Sequence, residues 1–169
     1  MESLRRTATD EAGGDRLQDA YNQHHQRLFR LAYLVSGDMW LSEDLAQEAF
    51  VKAQNKLREL PAEEWGPYLR TVVMNLWRRT VRRRRLELRG RNLGGSDWYT
   101  PPGPEERDEL WSLLLRLPPR QRACLVLRYY EDMPDRDIAA VLGCSIGTVK
   151  SQSARAMAKL RKELGQNEQ

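Results

Sequence analysis

The side chains with chemistry to offer fall into three sets, and their chemistry is recognition rather than bond making. The first lies near the C-terminus, in DIAAVLGCSIGTVKSQSARAMAKLRKEL. Gly143 permits a left-handed turn between two helical segments, the small Ala139 lets them approach closely, and Ser145 can cap the second. That is helix-turn-helix grammar, in which the start of the second helix enters the DNA major groove. Val149 faces the core, and the outward positions are Thr148, Lys150, Ser151, Gln152 and Arg155. Lysine and arginine suit guanine edges or phosphates, and glutamine suits adenine. Lys159, Arg161 and Lys162 are placed for backbone contacts or solubility.

The second set is a crowd of arginines: Arg78, Arg79, Arg82, Arg83, Arg84, Arg85, Arg89 and Arg91. The third is acidic, with Glu43, Asp44 and Glu48 on one short stretch. Cationic and anionic segments kept apart suggest one surface for a polyanion and another for a protein. The whole-chain balance is mild: 169 residues carry a formal charge of +4. Clustered metal carboxylates, a nucleophile–histidine pair and a glycine-rich phosphate loop are all missing, so neither an enzyme nor a cofactor is expected. Cys124 and Cys144 form no C-x-x-C pair, and His24 and His25 lie far upstream, which argues against a zinc site or a disulfide framework. Cys124 reads as a core residue and Cys144 as a turn residue. No apolar run is long enough for a membrane span, and residues 1–14 lack the apolar core of a secretory signal, so a cytoplasmic protein is expected.

The elements that must position these sets are all helical. The expected architecture is all-α: two small helical domains joined by a flexible linker. Residues 1–14 are expected as a tail. A first helix is predicted from about Asp15 to Val35, with Leu17, Tyr21, Leu28, Leu31, Ala32 and Val35 on its apolar stripe. A second should begin at Ser42 as N-cap and bury Leu45, Ala46, Ala49, Phe50, Ala53 and Leu57, leaving Asp44, Gln47, Glu48 and Val51 off the buried face. Beyond Pro61 a third helix carries Trp65, Leu69, Val72, Val73 and Leu76 inward and Arg70, Asn75, Arg78 and Arg82 outward. Met74, Trp77 and Val81 make a weaker stripe, read as peripheral packing. Past Leu76 arginine appears on every side, as suits a helix end laid along a phosphate backbone. Residues 89–104, RGRNLGGSDWYTPPGP, hold four glycines and three prolines and read as a linker containing Trp98 and Tyr99. Helices then follow over 110–117, 120–130, 135–142 and 146–164.

The C-terminal stretch resembles region 4 of RNA polymerase sigma factors of the extracytoplasmic-function (ECF) group, and LPPRQRACLVLRYYEDMPDRDIA resembles that region's first half. Independently, SEDLAQEAFVKA resembles region 2.2, and EEWGPYLRTVVMNLWRRTVRRRR resembles regions 2.3 and 2.4. The likeness spans roughly residues 16–88 and 105–164, and the WRR ending is most similar to the actinobacterial SigE-type branch. The resemblance implies a non-catalytic transcription initiation factor. Its partners would be core RNA polymerase and promoter DNA. Many members of that group are held inactive by an anti-sigma factor, though no residue of this chain marks one. By the same resemblance Asp44, Gln47 and Glu48 would dock on the clamp helices of the largest polymerase subunit. Asn75, Arg78, Arg82 and Arg83 would meet the −10 element, with the loop from Arg58 to Trp65 capturing an unstacked base. Thr148, Lys150, Ser151, Gln152 and Arg155 would meet the −35 element. Arg79, Trp77 and Gln152 depart from the common pattern and leave the promoter sequence open. The rival reading is a response-regulator-like or repressor helix-turn-helix protein that is not a polymerase subunit. The first would need a receiver domain with a strand-borne aspartate, and the helical pattern of residues 1–100 offers none.

Overall fold

The computed structural model describes the backbone of residues 2–90 and 109–167, and side-chain surroundings over 14–90 and 110–165. Trp98, Tyr99 and most of the expected linker lie outside the described residues. Within them every element is helical and no strand occurs. Seven α-helices follow in order: α1 (Glu2–Ser36), α2 (Met39–Glu59), α3 (Ala62–Gly90), α4 (Glu109–Leu115), α5 (Pro119–Leu125), α6 (Asp135–Leu142) and α7 (Ile146–Asn167). A π-helical turn, Val126–Tyr130, prolongs α5.

The N-terminal half is a three-helix unit. Leu28, Leu31, Ala32 and Val35 of α1 meet Leu45, Ala46, Ala49, Phe50, Ala53 and Leu57 of α2, and Trp65, Leu69 and Val73 of α3 close the core. Each fully buried aliphatic side chain contributes about 1.5–3 kcal/mol of transfer free energy. The alanines, all at zero exposure, let α1 and α2 approach closely. Met74 and Trp77 are buried as well, so the weaker stripe of α3 is packing surface.

Two expected helix starts shift, those of α1 and α2. α1 starts at Glu2 rather than near Asp15, through a stretch rich in glutamate, leucine, arginine and alanine that favours helix despite Gly13 and Gly14. α2 starts at Met39, and its N-cap is Asp38, whose carboxylate accepts from Leu41 N at 3.0 Å. Ser42, expected as the cap, is fully buried one turn inside the helix, and its hydroxyl donates back to the Asp38 carbonyl. The chain can turn earlier because Gly37, at φ +71°, ends α1. At the other end of α2, Trp65 Nε1 donates to the carbonyls of Leu57 and Leu60, each at 3.2 Å, and Arg16 Nη2 donates to Leu60 O at 2.6 Å. These bonds satisfy the last carbonyls of α2 and hold the α2–α3 loop in place.

In the C-terminal half, α6 and α7 form the helix-turn-helix. Leu113, Leu117, Leu125, Ala156 and Leu160 make a small core between α4, α5 and α7. The main core crosses from one half to the other: Ala123, Cys124, Val126, Leu127, Ile138, Ala139, Leu142 and Val149 belong to the same apolar cluster as the three-helix unit. The two halves are therefore pressed together, a feature that helix periodicity alone does not express.

Candidate nucleic-acid interface

The helix-turn-helix is built as its residues require. Gly143 adopts φ +63°, which a side chain would strain. Ser145 Oγ accepts from Thr148 N at 3.0 Å, capping α7, and lies 2.9 Å from the Thr148 hydroxyl. Val149 and Ser153 are buried and fix the rotation of α7. Lys150, Ser151 and Arg155 are left exposed, while Thr148 and Gln152 are half-buried. Ser151 Oγ donates to Thr148 O at 3.0 Å, so its hydroxyl is partly spent on the helix. Lys159 Nζ donates to Arg116 O at 2.9 Å and ties α7 to the end of α4; Arg161 and Lys162 face water.

On α3, Asn75, Arg79, Arg82 and Arg83 are exposed. Arg78 is not. It is half-buried and donates to Val141 O of α6 at 3.1 Å and to Asn75 Oδ1 at 3.3 Å. Of the four α3 residues expected at DNA, three thus point to solvent and one is held by the other half of the chain. Arg84 lies 3.9 Å from Asp38 and Arg83 lies 3.8 Å from Glu87, both loose surface pairs of small energetic weight.

The anionic face of α2 is intact. Asp44, Gln47 and Glu48 are exposed; Gln47 Nε2 donates to Glu43 Oε1 at 2.8 Å, and Glu48 lies 3.4 Å from Lys52. The same face carries two apolar side chains: Val51, expected off the buried face, is 66% exposed, and Trp40, which sequence reasoning passed over, is 85% exposed. Positions 40, 44, 47, 48 and 51 follow one helical stripe, and only Trp40 escapes a reading that starts the helix at Ser42.

The seam between the halves is polar at two points. Glu131, just past the π-helical turn, is buried and takes Arg70 Nη1 at 2.7 Å, Arg27 Nη2 at 3.2 Å and Arg27 Nε at 3.4 Å. Arg122 of α5 is buried too and donates to Val35 O at 2.9 Å and Leu115 O at 3.1 Å. Burial pushes its guanidinium down to about 10, which still leaves it charged at neutral pH. Tyr33 stacks on Trp111 across the same seam, with ring centroids 4.9 Å apart. Beside Glu131 lies a cavity of about 450 Å³ lined by Gln23, His24, Arg27, Ala62, Glu63, Gly66, Pro67 and Arg70. Burial, and then the neighbouring Arg27, hold His24 below the usual imidazole range. None of Arg27, Arg70, Arg122 and Glu131 stands out as a site residue in the sequence.

Among the described residues no group of histidines, cysteines and carboxylates could hold a metal ion, and no helix is long and apolar enough to cross a membrane. Both cysteines are free; burial pushes the Cys124 thiol up to about 11, which keeps it protonated.

Comparison with known proteins adds a family context. The Sigma-70 region 2 family matches residues 20–87, and the Sigma-70 region 4 family matches residues 107–160. The chain is 31% identical to the ECF RNA polymerase sigma factor SigE of Mycolicibacterium smegmatis, over 95% of this chain and 68% of that one. It is 32% identical to the ECF RNA polymerase sigma factor EcfG of Rhodopseudomonas palustris, over 86% of this chain and 83% of that one. Its fold is similar to that of the sigma factor RpoE from Bartonella quintana, solved in complex with the anti-sigma factor NepR. The TM-score is 0.68 over 88% of this chain and 96% of that chain, at 24% identity.

Proposed function

Since the chain belongs to the sigma-70 family and to its ECF type, a transcription initiation factor, we propose that it works by a division of surfaces between polymerase and promoter. The observation that carries this reading is a single three-helix unit exposing an anionic face on α2 and a cationic face on α3. Asp44, Gln47 and Glu48 dock on the clamp helices of the polymerase largest subunit. Asn75, Arg82 and Arg83, joined by Arg78 once it is released from Val141, hold the −10 region. Thr148, Lys150, Ser151, Gln152 and Arg155 read the −35 element from the major groove.

The working units are residues 15–88 and 105–165, with 89–104 as the span between them; the second unit docks near the polymerase flap. The chain supplies no chemistry of its own and acts in the cytoplasm. An anti-sigma factor is a partner to test for, because the RpoE likeness comes from a complex with one. Within the ECF type we assign the chain to the SigE-type branch on its Trp77-Arg78-Arg79 ending and arginine run.

Runoff transcription with purified core polymerase over a promoter library tests the function. Discrete starts should appear only when the chain is added, sharing −10 and −35 elements. No core-dependent transcript, together with no co-elution with core, would overturn it.

A further inference from the structure

We propose that His25 is a positioning residue for the polymerase-docking face. Through Glu43 it fixes the side-chain amide of Gln47, so that this face offers its partner hydrogen-bond acceptors only. The proposal rests on the reading of α2 as the docking helix and deepens it.

His25 belongs to α1, one helix away from the exposed charges of α2. Its ring stacks on Tyr21, with centroids 4.5 Å apart, and its centroid lies 6.3 Å from that of the buried Phe50. Tyr21 and Phe50 meet in turn, at 5.1 Å. Packed against two rings, the imidazole has little rotational freedom left. Its Nε2 lies 3.2 Å from Glu43 Oε1, and the same oxygen accepts from Gln47 Nε2 at 2.8 Å. The three side chains form one line from α1 to the outer surface of α2. The His25 side chain is 22% exposed and that of Glu43 38%, so their bond is partly shielded from the water that weakens fully exposed pairs.

A carboxylate can only accept, so Glu43 decides which end of the Gln47 amide turns toward it. The amide NH2 is spent on Glu43 and Oε1 is left over; among the described residues no donor pairs with that oxygen. Asp44 and Glu48 flank Gln47 with exposed carboxylates, which are acceptors as well. An amide free to flip would present donors among them. A face of acceptors alone matches a surface of arginine and lysine donors and disfavours one that carries carboxylates or carbonyls. Without His25, Glu43 is free to swing into water and release the amide.

The test measures the affinity of the full-length chain and its variants for purified core polymerase, by biolayer interferometry at physiological salt. His25→Leu keeps an apolar group against Tyr21 and Phe50 and removes the donor. It should weaken binding about three- to tenfold, the worth of one ordered hydrogen bond. His25→Gln, which restores a donor at similar reach, should return the parent's affinity. In a Gln47→Ala background His25→Leu should cost nothing further, because the two act in series. Gln47→Lys, which turns a donor outward, should cost more than Gln47→Ala. Glu43→Ala breaks the same line from its exposed side and serves if His25→Leu does not fold. Its loss should likewise shrink in the Gln47→Ala background.

Parental affinity in the folded variants among His25→Leu and Glu43→Ala would overturn the proposal. So would a loss that persists undiminished beside Gln47→Ala, or one that His25→Gln does not rescue. Charge reversal at Asp44 and Glu48 tests the docking face itself. If it weakens core binding while His25→Leu and Glu43→Ala do not, the face stands and the positioning role falls. If it leaves binding unchanged, the face is misassigned and the proposal falls with it.

Discussion

A long cationic side chain serves a partner only if its donors are not spent inside the fold. Arg122 spends its donors on Val35 and Leu115 carbonyls, and Arg16 spends one on the end of α2. Both are structural in effect: they satisfy carbonyls at helix C-termini. Lys150 and Arg155 are the opposite case, exposed on the outward side of α7 while Val149 and Ser153 lock its inward side. Replacing both with alanine should leave the helix content unchanged and cost about 1–3 kcal/mol for each base edge no longer read. The check is transcription from a cognate promoter beside one whose −35 element is scrambled. An equal drop on both templates would show that the pair does not read bases.

At the scale of the element, α2 shows how one helix serves two masters. Its buried stripe is alanine-rich and sits tightly against α1, so its rotation is set by packing and not by the charges opposite. Trp40 then extends the exposed anionic face by an aromatic ring, the residue type that most often anchors a protein interface. Charge reversal by Asp44→Lys with Glu48→Lys should weaken core binding about tenfold or more, largely through slower association. Circular dichroism should be unchanged, because both side chains are exposed. Undiminished co-elution with core polymerase would remove α2 as the docking helix.

For the whole molecule, the decisive feature is that one apolar cluster runs through both halves. The seam between the halves thereby engages Arg78, on Val141 O, and Arg70, on Glu131. Once promoter capture occurs, counterion release should dominate its salt dependence, at a log–log slope of about −0.9 for each phosphate neutralised. With Arg78, Arg82 and Arg83 engaged, the slope measured by filter binding of the holoenzyme should be steeper than about −2.5. A flat response would contradict phosphate gripping by the run from Arg78 to Arg85.

Much of this is legible in the linear chain. Periodicity reports which residues of a helix share a face, so the cores of α2 and α3, the exposed Asp44, Asn75 and Arg82, and the turn at Gly143 can all be read from spacing and residue type. The cap of α2 is misplaced by that reading because Asp38 and Ser42 are both good caps, and only the early turn at Gly37 chooses between them. Trp77 can be read as packing without being located, since its stripe is too weak to say what covers it.

Local spacing carries no information about pairs such as Arg70 with Glu131, 61 residues apart, or Arg27 with Glu131, 104 residues apart. Each of those side chains looks like ordinary surface charge within its own segment. Their burial follows from the docking of one helical half on the other. That docking is a balance of apolar area and charge summed over the folded surface, and no single segment contains it.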